Sequence, residues 1–193
     1  VDPNVLTLTT QDSNSSGAAF DVASANFSSA FNLLSSTYGA DGASSGGSIT
    51  WSYALALGSS SAITGLSSDG VVITLSLVGG QVVGSAGAVT VFTIAVDAGT
   101  GIVTLTQLAE IDHPLPGSAS NYTAQLVELA SNLIELQGTA TITDRDGDRS
   151  SDTIAIDLGG NIRFADDGPS VGVGGSGAEL ILDESFLLVD ASA

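Results

Sequence analysis

Three aspartates at alternate positions, Asp144, Asp146 and Asp148, lie in the run Thr143-Asp144-Arg145-Asp146-Gly147-Asp148. With Gly147 among them, a tight loop can turn several carboxylates toward one point. Hard oxygen ligands, roughly six to eight of them, are what Ca²⁺ asks for. Asp152 follows closely and is a further candidate ligand. The spacing is not that of a helix-loop-helix calcium loop. Its closing glutamate would fall on Ala155, and no helical pattern flanks the run. The plain alternative is a polar hairpin turn, which Asp146-Gly147 alone would satisfy without the other two carboxylates.

A second acidic group, Asp166-Asp167-Gly168-Pro169, stands where the apolar patterning stops. The proline stiffens the chain there, and adjacent carboxylates repel unless a cation joins them. Asp183 and Glu184, in the short unit Leu180–Ser185, are natural partners for such a cation. A simple acidic linker is the alternative. Asp12, Asp21 and Asp69 fit no motif, and Asp12 stands in a Ser-rich stretch without carboxylate neighbours in sequence. The single histidine, His113, precedes Pro114 and reads as a loop residue.

Little here suits catalysis, and the chain is not expected to be an enzyme. There is one His, no Lys and no Cys, so the usual nucleophile–base pairs are nearly out of reach. No G-x-S-x-G elbow occurs. Gly172–Gly177 matches G-x-G-x-x-G but has no βαβ setting, and reads as a linker. Paired carboxylates also serve glycoside hydrolysis, yet one Trp and three Tyr are sparse for a sugar cleft.

The charge narrows the partners. Twenty-one acidic residues face three Arg, for a net charge of −18. Nucleic acid and anionic lipid both need a basic surface, so neither is an expected partner. Clustered carboxylates on a compact chain call for neutralisation, again by divalent cations. With no Cys, disulfides and thiolate metal sites are excluded. No run of about 18 apolar residues exists to span a membrane as a helix. The opening Val1-Asp2-Pro3-Asn4 reads as the interior of something longer.

The elements that must carry these groups are strands. Ile49, Trp51, Tyr53, Leu55 and Leu57 alternate with small or polar residues, which also marks Trp51 as core. So do Ile73, Leu75 and Leu77, then Ile134 to Ile142, then Ile154, Ile156 and Leu158. Each predicts a strand with one buried face. Val89–Val96 is apolar on both faces, as a central strand would be. Turns are expected at Ser68-Asp69-Gly70, Val78-Gly79-Gly80, Asp97–Gly101 and Asp146-Gly147. A short helix fits within residues 18–38; 122–130 could also be helical but reads as strand then turn. Short strands separated by turns predict an all-β, Ig-like β-sandwich with Greek-key-type connections, stabilised by calcium. Residues 1–170 form the module and 171–193 a linker with the start of another.

The sequence resembles the large tandem repeat of type I secreted RTX adhesins, the long surface proteins of Gram-negative bacteria. The segments that carry the resemblance are Phe31 through Tyr38-Gly39-Ala40-Asp41-Gly42, Val91–Ile94, Thr141–Asp148, Ile162–Ser170 and Leu182–Ser185. It implies a Ca²⁺-bound, monomeric extender module, flanked by neighbouring repeats of the same chain. It further implies an extracellular place on the bacterial surface, where a ligand-binding tip is held out for adhesion and biofilm formation. A carbohydrate- or peptide-binding module of the same kind of adhesin is the alternative. The glycine-rich nonapeptide that names RTX proteins is absent.

Overall fold

The computed structural model describes residues 6–12, 21–45, 49–58, 62–114, 121, 125–166, 168 and 171–174. Twelve strands account for most of them: β1 (Leu8–Gln11), β2 (Asp21–Asn26), β3 (Ile49–Leu57), β4 (Ile63–Ser68), β5 (Val71–Val78), β6 (Gln81–Ala86), β7 (Val89–Val96), β8 (Ile102–Gln107), β9 (Leu126–Glu128), β10 (Ile134–Thr143), β11 (Arg149–Asp157) and β12 (Ile162–Ala165). The chain is all-β, with its sheets in a sandwich-like arrangement.

The largest sheet has the order β2-β8-β7-β6-β5-β4. It is a meander from β4 to β8, to which β2 adds at the far edge. Its hairpins are tight for a stereochemical reason. Asp69 and Gly70 have φ of 51° and 73°, and Gly79 and Gly80 have 59° and 84°. Left-handed backbone at both central residues matches the twist of the paired strands. β7 is central, as its two-sided apolar pattern predicts, and Val91, Phe92 and Ile94 are fully buried.

A second sheet, β11-β10-β3, lays β3 across β5, β6 and β7. On β10, Ile134, Leu136, Gly138 and Ala140 alternate inward. They pair with Leu57, Leu55, Tyr53 and Trp51 of β3, so both strands offer one apolar face to the core. The outer face is polar, and cross-strand hydroxyl pairs stitch it, Thr139 to Thr153 and Thr141 to Ser151, each at 2.8 Å. β11 departs from expectation. It is an edge strand, hydrogen-bonded to β10 among the described strands, and Ile154 is 57 % exposed. Two residues on, Ile156 packs against the core.

Residues 18–38 hold no α-helix among those described. Asp21–Asn26 is β2, antiparallel to β8, and a single 3-10 turn follows at Ser28–Ala30. The inward residues of β2 are Ala23 and Ala25, too small to give a clear strand signal. Phe27 then enters the core fully. Phe31 does the same over Gly138, in an aromatic group with Tyr53 (5.4 Å between ring centroids) and Trp51 (6.1 Å). Trp51 is half-buried against the core as expected. A Cβ at position 138 would run into the Phe31 ring. Gly138→Ala is therefore expected to cost about 1–3 kcal/mol in urea unfolding. A neutral result would mean that the ring does not sit there.

A third sheet, β1-β12-β9, pairs β1 with β12 in parallel, Leu8 with Ile162 through Gln11 with Ala165. It rests against β2 and β8, with Leu8, Ile162 and Phe164 in the common core. The short strand β9 falls within residues 122–130 as expected.

Candidate metal centres

The predicted acidic loop joins β10 to β11 and brings Asp144, Asp146 and Asp148 together. One carboxylate oxygen from each lies within 4.8 Å of the others. The loop is held by its own backbone. The amide of Asp144 donates to the Asp148 carbonyl at 3.0 Å. Asp144 Oδ1 accepts from the amides of Gly147 (3.1 Å) and Asp148 (2.8 Å). Gly147 supplies the positive φ, 102°, that this closure needs.

The carboxyls of Asp144 and Asp146 share a hydrogen bond. This bond, with the backbone amides, holds Asp144 below the usual carboxylate range. The same bond, with the charges of Asp144 and Asp148, pushes Asp146 up. Like charges crowded this way are what a divalent cation relieves. All candidate ligands here are oxygens and largely exposed, a donor set suited to Ca²⁺.

The loop also has a neighbour that sequence reading did not assign to it. The amide of Arg145 donates to the Gly42 carbonyl at 3.1 Å, and that of Ser44 to the Thr143 carbonyl at 3.2 Å. Asp41 and Ala40 line a surface hollow with Arg145 and Asp146. Asp41 is thus a further candidate ligand. Its signal was the run Tyr38–Gly42, which has the glycines and acid of a second loop.

Asp152 lies apart from these carboxylates, on β11 opposite Ala140, and its Oδ1 accepts from the Thr153 amide at 2.9 Å. Asp167, Asp183 and Glu184 lie outside the described residues. Asp166 is placed, and it turns inward.

That inward turn creates a second cluster, Asp12–His113–Asp166. It corrects the reading of Asp12 and adds to that of His113. Asp12 has a carboxylate neighbour after all, because the parallel β1–β12 register, carried one residue past Gln11–Ala165, sets Asp12 beside Asp166. His113 is in a loop, but its side chain is only 2 % exposed. Its Nδ1 lies 3.6 Å from Asp12 Oδ2 and 3.9 Å from Asp166 Oδ1. Gln107 Nε2 donates to Asp12 Oδ1, and the Ile111 amide to Oδ2 at 3.3 Å. Burial dominates the balance and pushes the Asp12 carboxyl up to about 6, with Gln107, Ile111 and His113 opposing and Asp166 adding to the rise.

A family model described as a domain of unknown function, DUF5801, matches residues 7–159. The chain belongs to that family. No curated protein and no solved structure matches it. The DUF5801 match takes in β1 through β11, hence the acidic loop, Asp12 and His113. Asp166 and β12, which completes the third sheet, follow the matched span.

Proposed function

We propose that this DUF5801 domain is a calcium-binding extender repeat of a secreted bacterial surface adhesin, a structural spacer and not an enzyme. The observation that carries the reading is the three-carboxylate loop of Asp144, Asp146 and Asp148, held by its own backbone at the tip of a β10–β11 hairpin. The resemblance of these segments to RTX adhesin repeats supplies the rest: type I secretion, an extracellular place, and a part in adhesion and biofilm formation with like repeats on either side.

Two features of the fold support a spacer. β1 and β12 run parallel, so the chain enters the module at one end of that pair and leaves at the other. A string of such modules would therefore extend and not double back. In addition, Phe31, Trp51 and Tyr53 pack on one another, which leaves them poorly placed as a sugar platform.

Thermal unfolding tests the calcium reading. Millimolar Ca²⁺ is expected to raise the Tm over that in EGTA by on the order of 5 °C, since an ion that binds only the folded state stabilises it with the logarithm of its concentration. Asp146→Asn should remove most of that rise. Equal Tm values with and without Ca²⁺ would overturn the reading.

A further inference from the structure

We propose that Asp12, His113 and Asp166 form a second metal site, buried and of the mixed nitrogen–oxygen kind that takes Zn²⁺ or Mn²⁺ in preference to Ca²⁺. It is independent of the adhesin reading and separate from the exposed loop.

The argument begins at the imidazole. Nε2 of His113 lies 3.2 Å from the Phe164 carbonyl. A proton on Nε2 satisfies that carbonyl and leaves the Nδ1 lone pair facing the other way. There it meets the Ile111 carbonyl at 2.7 Å and the carboxylates of Asp12 and Asp166. In that tautomer four electron-rich atoms face one another, and a proton on Nδ1 or a metal cation is what can sit among them. A backbone carbonyl on the far nitrogen is the usual outer partner of a metal-bound histidine, because it fixes the tautomer and the ring plane.

A second observation points the same way. Gln107 is fully buried and its amide reaches into the cluster, with Nε2 donating to Asp12 and, at 3.1 Å, to the Ala109 carbonyl. Among the described residues its Oε1 has no hydrogen-bond partner. Thr10, on β1 two residues before Asp12, is fully buried, and its Oγ1 is likewise without one among the described residues. Buried acceptors left unmatched are costly. One extra proton satisfies a single acceptor, whereas a divalent ion accepts four or so ligands and balances the two carboxylates. Imidazole among the donors favours Zn²⁺ or Mn²⁺, while the all-oxygen loop favours Ca²⁺. An ion here would tie the exit ends of β1 and β12 to the segment after β8.

The test uses the full chain, stripped with EDTA and titrated with Co²⁺ as a spectroscopic stand-in. One Co²⁺ should bind with visible d–d absorption, yield to Zn²⁺ and resist millimolar Ca²⁺. Asp12→Asn and His113→Gln should each weaken it by ~10-fold or more, while Asp146→Asn leaves it unchanged. Circular dichroism checks that the variants fold. If either does not, Asp166→Asn, at the most exposed of the three positions, serves instead. Absence of the absorption in the wild type, or its persistence in His113→Gln, overturns the site. So does an NMR spectrum with excess Zn²⁺ in which both imidazole nitrogens remain protonated, since a proton would then be the cation. Failure of the calcium melt with success here would remove the extender reading and leave this site standing.

Discussion

Phe164→Ala is expected to remove about 3–5 kcal/mol of stability, the range for deleting a fully buried phenyl ring. Phe164 lies on β12, the middle strand of the third sheet, and is fully buried. Its ring meets Phe92 of the central strand β7 at 5.1 Å between centroids and 40° between planes. The pair is therefore one of the contacts through which the small sheet is seated on the large one, with those of β1 on β2 and β8. Neither side can easily collapse into the space the ring leaves. The amides of β12 are committed to β1 and β9, and β7 is held on both edges by β6 and β8. Urea unfolding should show the loss as a lower midpoint at an unchanged slope. Leu34→Ala is the control, at a side chain 97 % exposed, and should change little. A loss below about 1 kcal/mol at Phe164 would mean that the third sheet is not packed on the core.

The contrast between Phe164 and Ile154 shows how far the sequence could be read. Both sit in alternating apolar runs, and alternation reports that a strand has an inside. It does not report whether another layer reaches that strand. Tyr53, Leu55, Ile73, Leu75, Ile134 and Leu136 met their expected burial because the sandwich covers them, whereas Ile49, Leu57 and Leu77 near the strand ends and Ile154 on the edge strand β11 did not. β2 escaped notice for the opposite reason, since its inward Ala23 and Ala25 carry almost no apolar contrast. The acidic loop was legible because its three clustered aspartates come from one hairpin, where spacing along the chain is spacing in space, whereas Asp41 beside it comes from another segment. The buried cluster was not. Its members come from the end of β1, a loop after β8 and the end of β12, and only the parallel β1–β12 register brings Asp12 beside Asp166. Parallel pairing joins segments distant in sequence, and no local pattern announces it.

Removing the imidazole from that cluster is the other change with a large expected effect. In chelator, His113→Leu should cost about 3–5 kcal/mol near pH 7.5, because it takes away the imidazole that stands between two largely buried carboxylates. Asp12 is 4 % exposed, and neither it nor Asp166 can readily turn to water. The pH dependence separates this from a simple packing defect. The Asp12 carboxyl titrates at about 6 in the folded wild type against 3.8 for an ordinary aspartate, so the folded state holds the proton more tightly than the unfolded chain. That contribution to stability is present in full below the ordinary value and is lost as pH rises through about 6. From pH 4 to 7.5 the wild type should lose on the order of 2 kcal/mol through this group. Asp12→Asn should be free of that part of the slope. Without the imidazole beside it, Asp12 in His113→Leu loses an influence that favours its ionised form, so its slope should be steeper than the wild-type one. The double variant Asp12→Asn/His113→Leu should recover much of the loss at pH 7.5, since one of the opposed charges is gone. Urea midpoints across that range decide the matter. A His113→Leu penalty of equal size at both ends, unrelieved by Asp12→Asn, would show that the ring only fills space and that Asp12, His113 and Asp166 do not act as one charged unit.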